Sequence, residues 1–131
     1  AKYFDSGLII CHKTRIRANE VADMKVIGDV EGKNIIVVDD MIDTAGTICK
    51  AADMLIDNGA ASVRAVATHA VLSGKAYENI EKSKLTEVIF TDSIPQKQPC
   101  SKIKVLPIAP MFADTIRNIY EHKSISDHFL M

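Results

Sequence analysis

Apolar residues along this chain gather into short dense runs, and between the runs they recur every three or four positions. Residues 8–12 (LIICH) read as a short strand. Residues 13–20 (KTRIRANE) are polar and basic with no clear period, and read as a loop. Residues 24–29 read as another strand, followed by a turn at Glu31-Gly32. Residues 34–38 (NIIVV) form a continuous β-branched run, the pattern of a strand covered on both faces. A loop follows over residues 39–46 (DDMIDTAG), then a helix over 47–58 with Ile48, Ala51, Ala52, Leu55 and Ile56 on one stripe. Gly59 stands where a left-handed helix terminus is expected. Residues 62–68 (SVRAVAT) give the next buried strand. A short helix over 75–83, a strand over 87–91, a Pro-containing loop over 95–99 and a strand over 103–106 come next. The last element is an amphipathic helix over 111–122 carrying Phe112, Ile116, Ile119 and Tyr120.

Strands alternating with helices at this spacing predict an α/β fold, a mostly parallel twisted sheet flanked by helices and built from right-handed crossovers. The basic stretch near the N-terminal end is expected to be a flexible loop beside it. In such sheets ligands bind beyond the carboxyl ends of the strands. The segment after Val38 lies at such an end.

Length and composition narrow the picture further. A chain of 131 residues suits one domain, residues 1–131, with enough length to bury a core without staples. No apolar run approaches the ~20 residues that a membrane-crossing helix needs. Lys+Arg is 16 against Asp+Glu 17, so no basic surplus points to nucleic acid as a partner. Cys11, Cys49 and Cys100 are far apart and odd in number, which suits reduced thiols in the cytoplasm. His12, His69, His122 and His128 lack metal-ligand spacing and read as packing or surface residues. The chain opens on Ala1 next to a strand-like run, as a piece of a longer polypeptide would.

The chemistry concentrates in residues 37–47 (VVDDMIDTAGT). The end of this segment opens a helix, whose unpaired N–H groups and dipole favour an anion. Gly46 lets a ligand approach the backbone, and Thr44 and Thr47 add hydroxyl donors. That is a phosphate cradle, though without the GxxxxGK[ST] pattern of a nucleotide loop. Three acids, Asp39, Asp40 and Asp43, crowd the same spot. Like charges ~4 Å apart repel by about 1 kcal/mol in water and by more when partly buried. The acids therefore face something other than the phosphate: neutral hydroxyls, or a divalent cation. A phosphate, adjacent hydroxyls and a cation together describe a phosphorylated sugar. The plainer alternative is that Asp43 and Thr44 cap the helix while Asp39 and Asp40 end a strand.

The segment resembles the phosphoribosyl-diphosphate (PRPP) loop of the type I phosphoribosyltransferase fold. Over its whole length the chain resembles the C-terminal domain of the ribose-phosphate pyrophosphokinase (PRPP synthetase) family. The resemblance includes His12-Lys13-Thr14-Arg15, the loop, Thr68-His69-Ala70-Val71-Leu72-Ser73-Gly74, Thr91-Asp92-Ser93-Ile94-Pro95 and Ser124-Ile125-Ser126. It implies transfer of the diphosphoryl group of ATP to the 1-hydroxyl of ribose 5-phosphate, giving PRPP and AMP, with Mg2+. It assigns Asp39 and Asp43 to the ribose hydroxyls, and Asp43, Thr44, Ala45, Gly46 and Thr47 to the 5-phosphate. Asp40 falls to Mg2+ or one of its waters. Lys13 and Arg15 match the basic pair of the family's catalytic loop, with Arg15 also on the substrate. Cations aligned on the transferring oxygens lower such a barrier, and a mobile loop can close over the substrates. Ser73, Ser124 and Ser126 match a phosphate/ADP regulatory site, against the plainer reading of turn and tail hydroxyls.

Thr14, Ala70 and Lys75 depart from the family pattern at positions that bear on loop affinity, regulation and subunit contacts. Whole members carry a second, N-terminal domain with most of the adenine site, and assemble as hexamers. The chain is then the ribose-5-phosphate half of a divided active site, inactive or nearly so alone. Two other functions remain open. One is a phosphoribosyltransferase, which needs a base-recognising hood that this sequence lacks. The other is a non-catalytic PRPP-synthetase-associated regulatory subunit, which can lose the acids or the basic pair that this sequence keeps.

Overall fold

The computed structural model describes residues 7, 10–17 and 20–126, with side chains described for residue 7 and residues 28–126. The chain begins with β1 (Ile10–Arg17) and β2 (Glu20–Ile27), an antiparallel ribbon paired from Ile10 opposite Ile27 to Arg17 opposite Glu20, with its register shifting on either side of Arg15. Then come β3 (Asn34–Ile42), α1 (Gly46–Asp57), β4 (Ser62–Ala70), α2 (Ala76–Lys82), β5 (Glu87–Thr91), β6 (Ile103–Leu106) and α3 (Ala109–Tyr120). Strands β3, β4, β5 and β6 pair in that order, every pair parallel, so the carboxyl ends of all four lie along one edge. The α/β class and the parallel sheet are as the sequence predicts.

Period-two alternation builds the core. Val63, Ala65 and Ala67 on β4 and Val88 and Phe90 on β5 turn inward, while Arg64, Val66, Glu87 and Ile89 between them stay partly exposed. The inward set packs with Ile48, Ala52 and Leu55 of α1 and with Ala76, Tyr77 and Ile80 of α2. Gly59 ends α1 at φ 92, as expected of a residue just past a helix terminus. No helix spans β5 to β6. Residues 92–102 make that crossover, pinned to α2 where Lys97 N–H donates to the Tyr77 hydroxyl (3.0 Å) and Ser101 Oγ to Glu81 Oε1 (2.6 Å).

Three expectations are corrected. Residues 13–17 are strand rather than loop, because the β1–β2 ladder satisfies their backbone whatever their polarity; residues 8 and 9 lie outside the described set. Residues 39–42 are also strand, since β4 continues opposite them to the pair Ile42–Ala70, and the loop shrinks to residues 43–45. Residues 34–38 are not covered on both faces: Ile36 is 58% and Val38 76% exposed, because α1 and α2 share one side of the sheet. Helix α3 forms as expected but buries none of its residues, and Phe112, Ile116, Ile119 and Tyr120 stay exposed.

Glu87 ties three strands together, accepting from Arg64 Nε of β4 at 2.8 Å and lying 2.7 Å from Lys104 Nζ of β6. The hydrogen bonds from Lys104 and Arg64 hold its carboxyl below the ordinary glutamate value. A carboxyl lowered on folding stabilises the protein above its unfolded pKa, and that contribution is lost as the pH falls through the folded value. Glu87→Gln should therefore lower the urea midpoint at pH 7. The gap between wild type and variant should narrow as the pH is lowered below the ordinary glutamate value. A gap of constant size across that range would show that the carboxylate charge has no part in it.

Candidate functional site

The site grows from the way the chain leaves β3. After Ile42 only Asp43, Thr44 and Ala45 intervene before α1. Ala45 turns the chain with φ 60 and ψ −1, a left-handed conformation that costs an L-residue roughly 1–2 kcal/mol. Its methyl is 4% exposed and packs in the core, which is why this left-handed position carries alanine rather than glycine. A left-handed residue followed by a right-handed helix turns successive N–H groups into one concavity, a shape suited to an anion. Helix α1 has no side-chain cap at Ala45 and no acid in its first turn, so neither device neutralises its positive end. The N-cap position itself falls to Ala45, not to Asp43 or Thr44 as the plainer reading has it.

The segment after β4 backs this loop. Leu72 N–H donates to Ile42 O and Ser73 N–H to Asp43 O, both at 3.1 Å. The Ser73 hydroxyl donates to Asp43 Oδ1. From α2, Asn79 Nδ2 donates to Thr44 O at 3.0 Å. Leu72 is itself left-handed, φ 47, and 3% exposed. On β3, Asp39 Oδ1 accepts from Asp40 N–H (2.9 Å) and Asp40 Oδ1 from Met41 N–H (2.7 Å), with both carboxylates at the surface. Among the described residues, no lysine or arginine pairs with Asp39, Asp40 or Asp43.

Further along the same edge, His69 Nδ1 lies 2.9 Å from Ser93 Oγ. Ser93 Oγ and Thr91 Oγ1 both donate to Thr68 O, at 3.1 and 2.8 Å. His69 is thus exposed, as read from sequence, but bonded across β4 and β5.

The structure places Asp39, Asp40, Asp43, Thr44, Ala45, Gly46, Thr47 and Ser73 at one end of the sheet. Lys13 and Arg15 are on β1, opposite Met24 and Val21, and their side chains lie outside the described residues. Ser124 and Ser126 bond to each other after α3, with Ser126 N–H also donating to Ser124 Oγ at 3.1 Å. Sequence reasoning missed Asn79. It stands 35 residues from Thr44, and only its place one turn into a helix behind the loop could have flagged it. Among the described residues, no three His, Cys, Asp or Glu side chains group as a metal cage.

A family model described as "Phosphoribosyl synthetase-associated domain" matches residues 10–130. The ribose-phosphate pyrophosphokinase of Porphyromonas gingivalis is 50% identical over 126 residues, 96% of this chain and 40% of the relative. That of Helicobacter hepaticus is 56% identical over 122 residues, 93% of this chain and again 40% of the relative. The crystal structure of phosphoribosylpyrophosphate synthetase from Mycobacterium smegmatis superposes with a TM-score of 0.73 at 41% identity, over 79% of this chain and 35% of that one. The chain thus spans about two fifths of the length of these curated relatives.

Gly46 separates folding from binding. A Cβ there would meet only Thr44 Oγ1, at 3.8 Å, an ordinary contact, and Gly46 is not among the left-handed glycines. Gly46→Ala should keep or raise the melting temperature, since alanine is the better helix former. It should also weaken inorganic phosphate binding about tenfold or more by standing where an anion meets the backbone. An unchanged phosphate affinity in calorimetry would mean that no ligand approaches this N–H.

Proposed function

The chain belongs to the phosphoribosyl synthetase-associated domain family, and from that premise we propose that it is the ribose-5-phosphate side of a ribose-phosphate diphosphokinase. The observation that carries the reading is the start of α1 beside Asp39 and Asp43, with a left-handed Ala45 as its N-cap residue and no acid in its first turn. The 5-phosphate sits against the N–H groups and hydroxyls of residues 43–47. The carboxylates of Asp39 and Asp43 accept hydrogen bonds from the ring 2- and 3-hydroxyls, which neutral donors can supply without repulsion.

Held at both ends, the sugar presents its 1-hydroxyl. Its oxygen attacks the β-phosphorus of ATP, the bond from that phosphorus to the α-phosphate oxygen breaks, AMP departs and the hydroxyl proton is released. Charge spreads over the transferring oxygens, and Lys13 and Arg15 supply cations to them: Arg15 as a two-pronged donor, Lys13 as a mobile point charge. A ribbon such as β1–β2 can carry both side chains as one unit.

Mg2+ takes one or two carboxylates and completes its shell with phosphate oxygens and water. The exposed carboxylate of Asp40 on β3 suits that demand. Asp40 would hold the ion directly or through one of its waters, and the ion would offset charge on the diphosphoryl group. The adenine side of the site comes from polypeptide beyond this chain, and the assembled enzyme is a hexamer working in the cytoplasm. No helix among the described residues is long and apolar enough to cross a membrane.

Calorimetry tests the core of this reading. Asp43→Ala and Thr47→Ala should each weaken ribose 5-phosphate binding by about tenfold or more, the loss of one charge-assisted or hydroxyl hydrogen bond. This chain alone, given ATP and ribose 5-phosphate, should release AMP at no more than background. Affinity unmoved by both substitutions would sink the proposed site. Near-normal AMP release would sink the division of labour.

A further inference from the structure

We infer that Ser73 and Asn79 are positioning residues that divide the pentose-ester site between them, Ser73 setting its alcohol end and Asn79 its phosphate end. The inference rests on the reading of residues 43–47 given above and names what aims them.

In a trans peptide the C=O and the N–H that follows it point in opposite directions. Two successive carbonyls of the loop are held from behind: Asp43 O by Ser73 N–H and Thr44 O by Asn79 Nδ2. Their partner N–H groups, on Thr44 and Ala45, are thereby directed the other way, out of the fold. Among the described residues neither of these N–H groups has a hydrogen-bond partner. Asn79 is a rigid anchor, since its own N–H bonds to Lys75 O (2.9 Å) and its helix packs through Ala76, Tyr77 and Ile80.

Ser73 does a second thing. Its backbone is fixed on both sides, by the bond to Asp43 O and by Ala76 N–H donating to Ser73 O at 3.1 Å. Its hydroxyl therefore reaches Asp43 from a fixed point and occupies Oδ1. The other carboxylate oxygen is left to accept from a ligand alcohol. Without that donor an exposed aspartate at a strand end samples several rotamers and meets the sugar in the right one only part of the time.

The test uses the full chain with two probes, ribose 5-phosphate and inorganic phosphate, by calorimetry, with the Thr44 and Ala45 amide resonances as a second readout. Ser73→Ala should weaken ribose 5-phosphate binding about three- to tenfold and leave inorganic phosphate binding unchanged. Ser73→Thr, which keeps the hydroxyl, should restore the affinity and covers the case in which the alanine variant folds poorly. In an Asp43→Ala background Ser73→Ala should add nothing, because the acceptor it aims is gone. Asn79→Ala should weaken both probes and abolish the phosphate-induced shifts of Thr44 and Ala45, with the other amides intact. Equal loss of both probes in Ser73→Ala, or failure of Ser73→Thr to restore binding, would overturn the division. So would an unchanged Ser73→Ala alongside a weakened Asp43→Ala, which leaves the site itself standing. If Asp43→Ala is also silent, the site and the inference fall together.

Discussion

Three consecutive carbonyls, on Ile42, Asp43 and Thr44, all accept from the stretch that follows β4. This constraint orders the rest of the edge. It closes β3 against its neighbour for two peptides beyond the last paired residue and fixes where Ala45 must reverse. It also starts α1 at a point set by the sheet rather than by a cap. A side-chain oxygen at the N-cap would have filled the helix start and left no room for a ligand. The binding end is thus a consequence of how a parallel pair terminates, with polar side chains added to a geometry that the backbone had already made.

Much of this was legible in the residues. The β-branched runs around Ile35, Val63 and Val88 marked the strands, and the stripe of Ile48, Ala52 and Leu55 marked α1. The crowding of acids and threonines over residues 39–47 was equally plain in the residues. What escaped was non-local. Asp39 and Asp40 looked like loop because their composition is polar, yet β4 supplies a ladder opposite them and polarity does not decide backbone pairing. Lys13–Arg17 escaped in the same way, through the β2 ladder. Ser73 and Asn79 lie 30 and 35 residues from the atoms they hold, and no local pattern announces such a bond. Ile36, Val38 and the apolar stripe of α3 show the opposite failure. Their pattern was read as that of covered residues, yet they stay exposed among the described residues, because residue type alone does not place a neighbour against them.

The charge distribution fits a site completed by other material. Three aspartates at the sheet edge have no cationic partner among the described residues, while the basic pair Lys13 and Arg15 sits on a separate ribbon. Relatives more than twice as long as this chain match it along nearly its whole extent.

Ala45 leaves very little freedom for drift. Glycine would relax its left-handed backbone but remove a methyl that is buried in the core cluster. Any larger side chain would keep the backbone penalty and press into a filled interior. The position is bounded from both directions at once, so a lineage carrying this loop can wander at its rim far more readily than at its pivot.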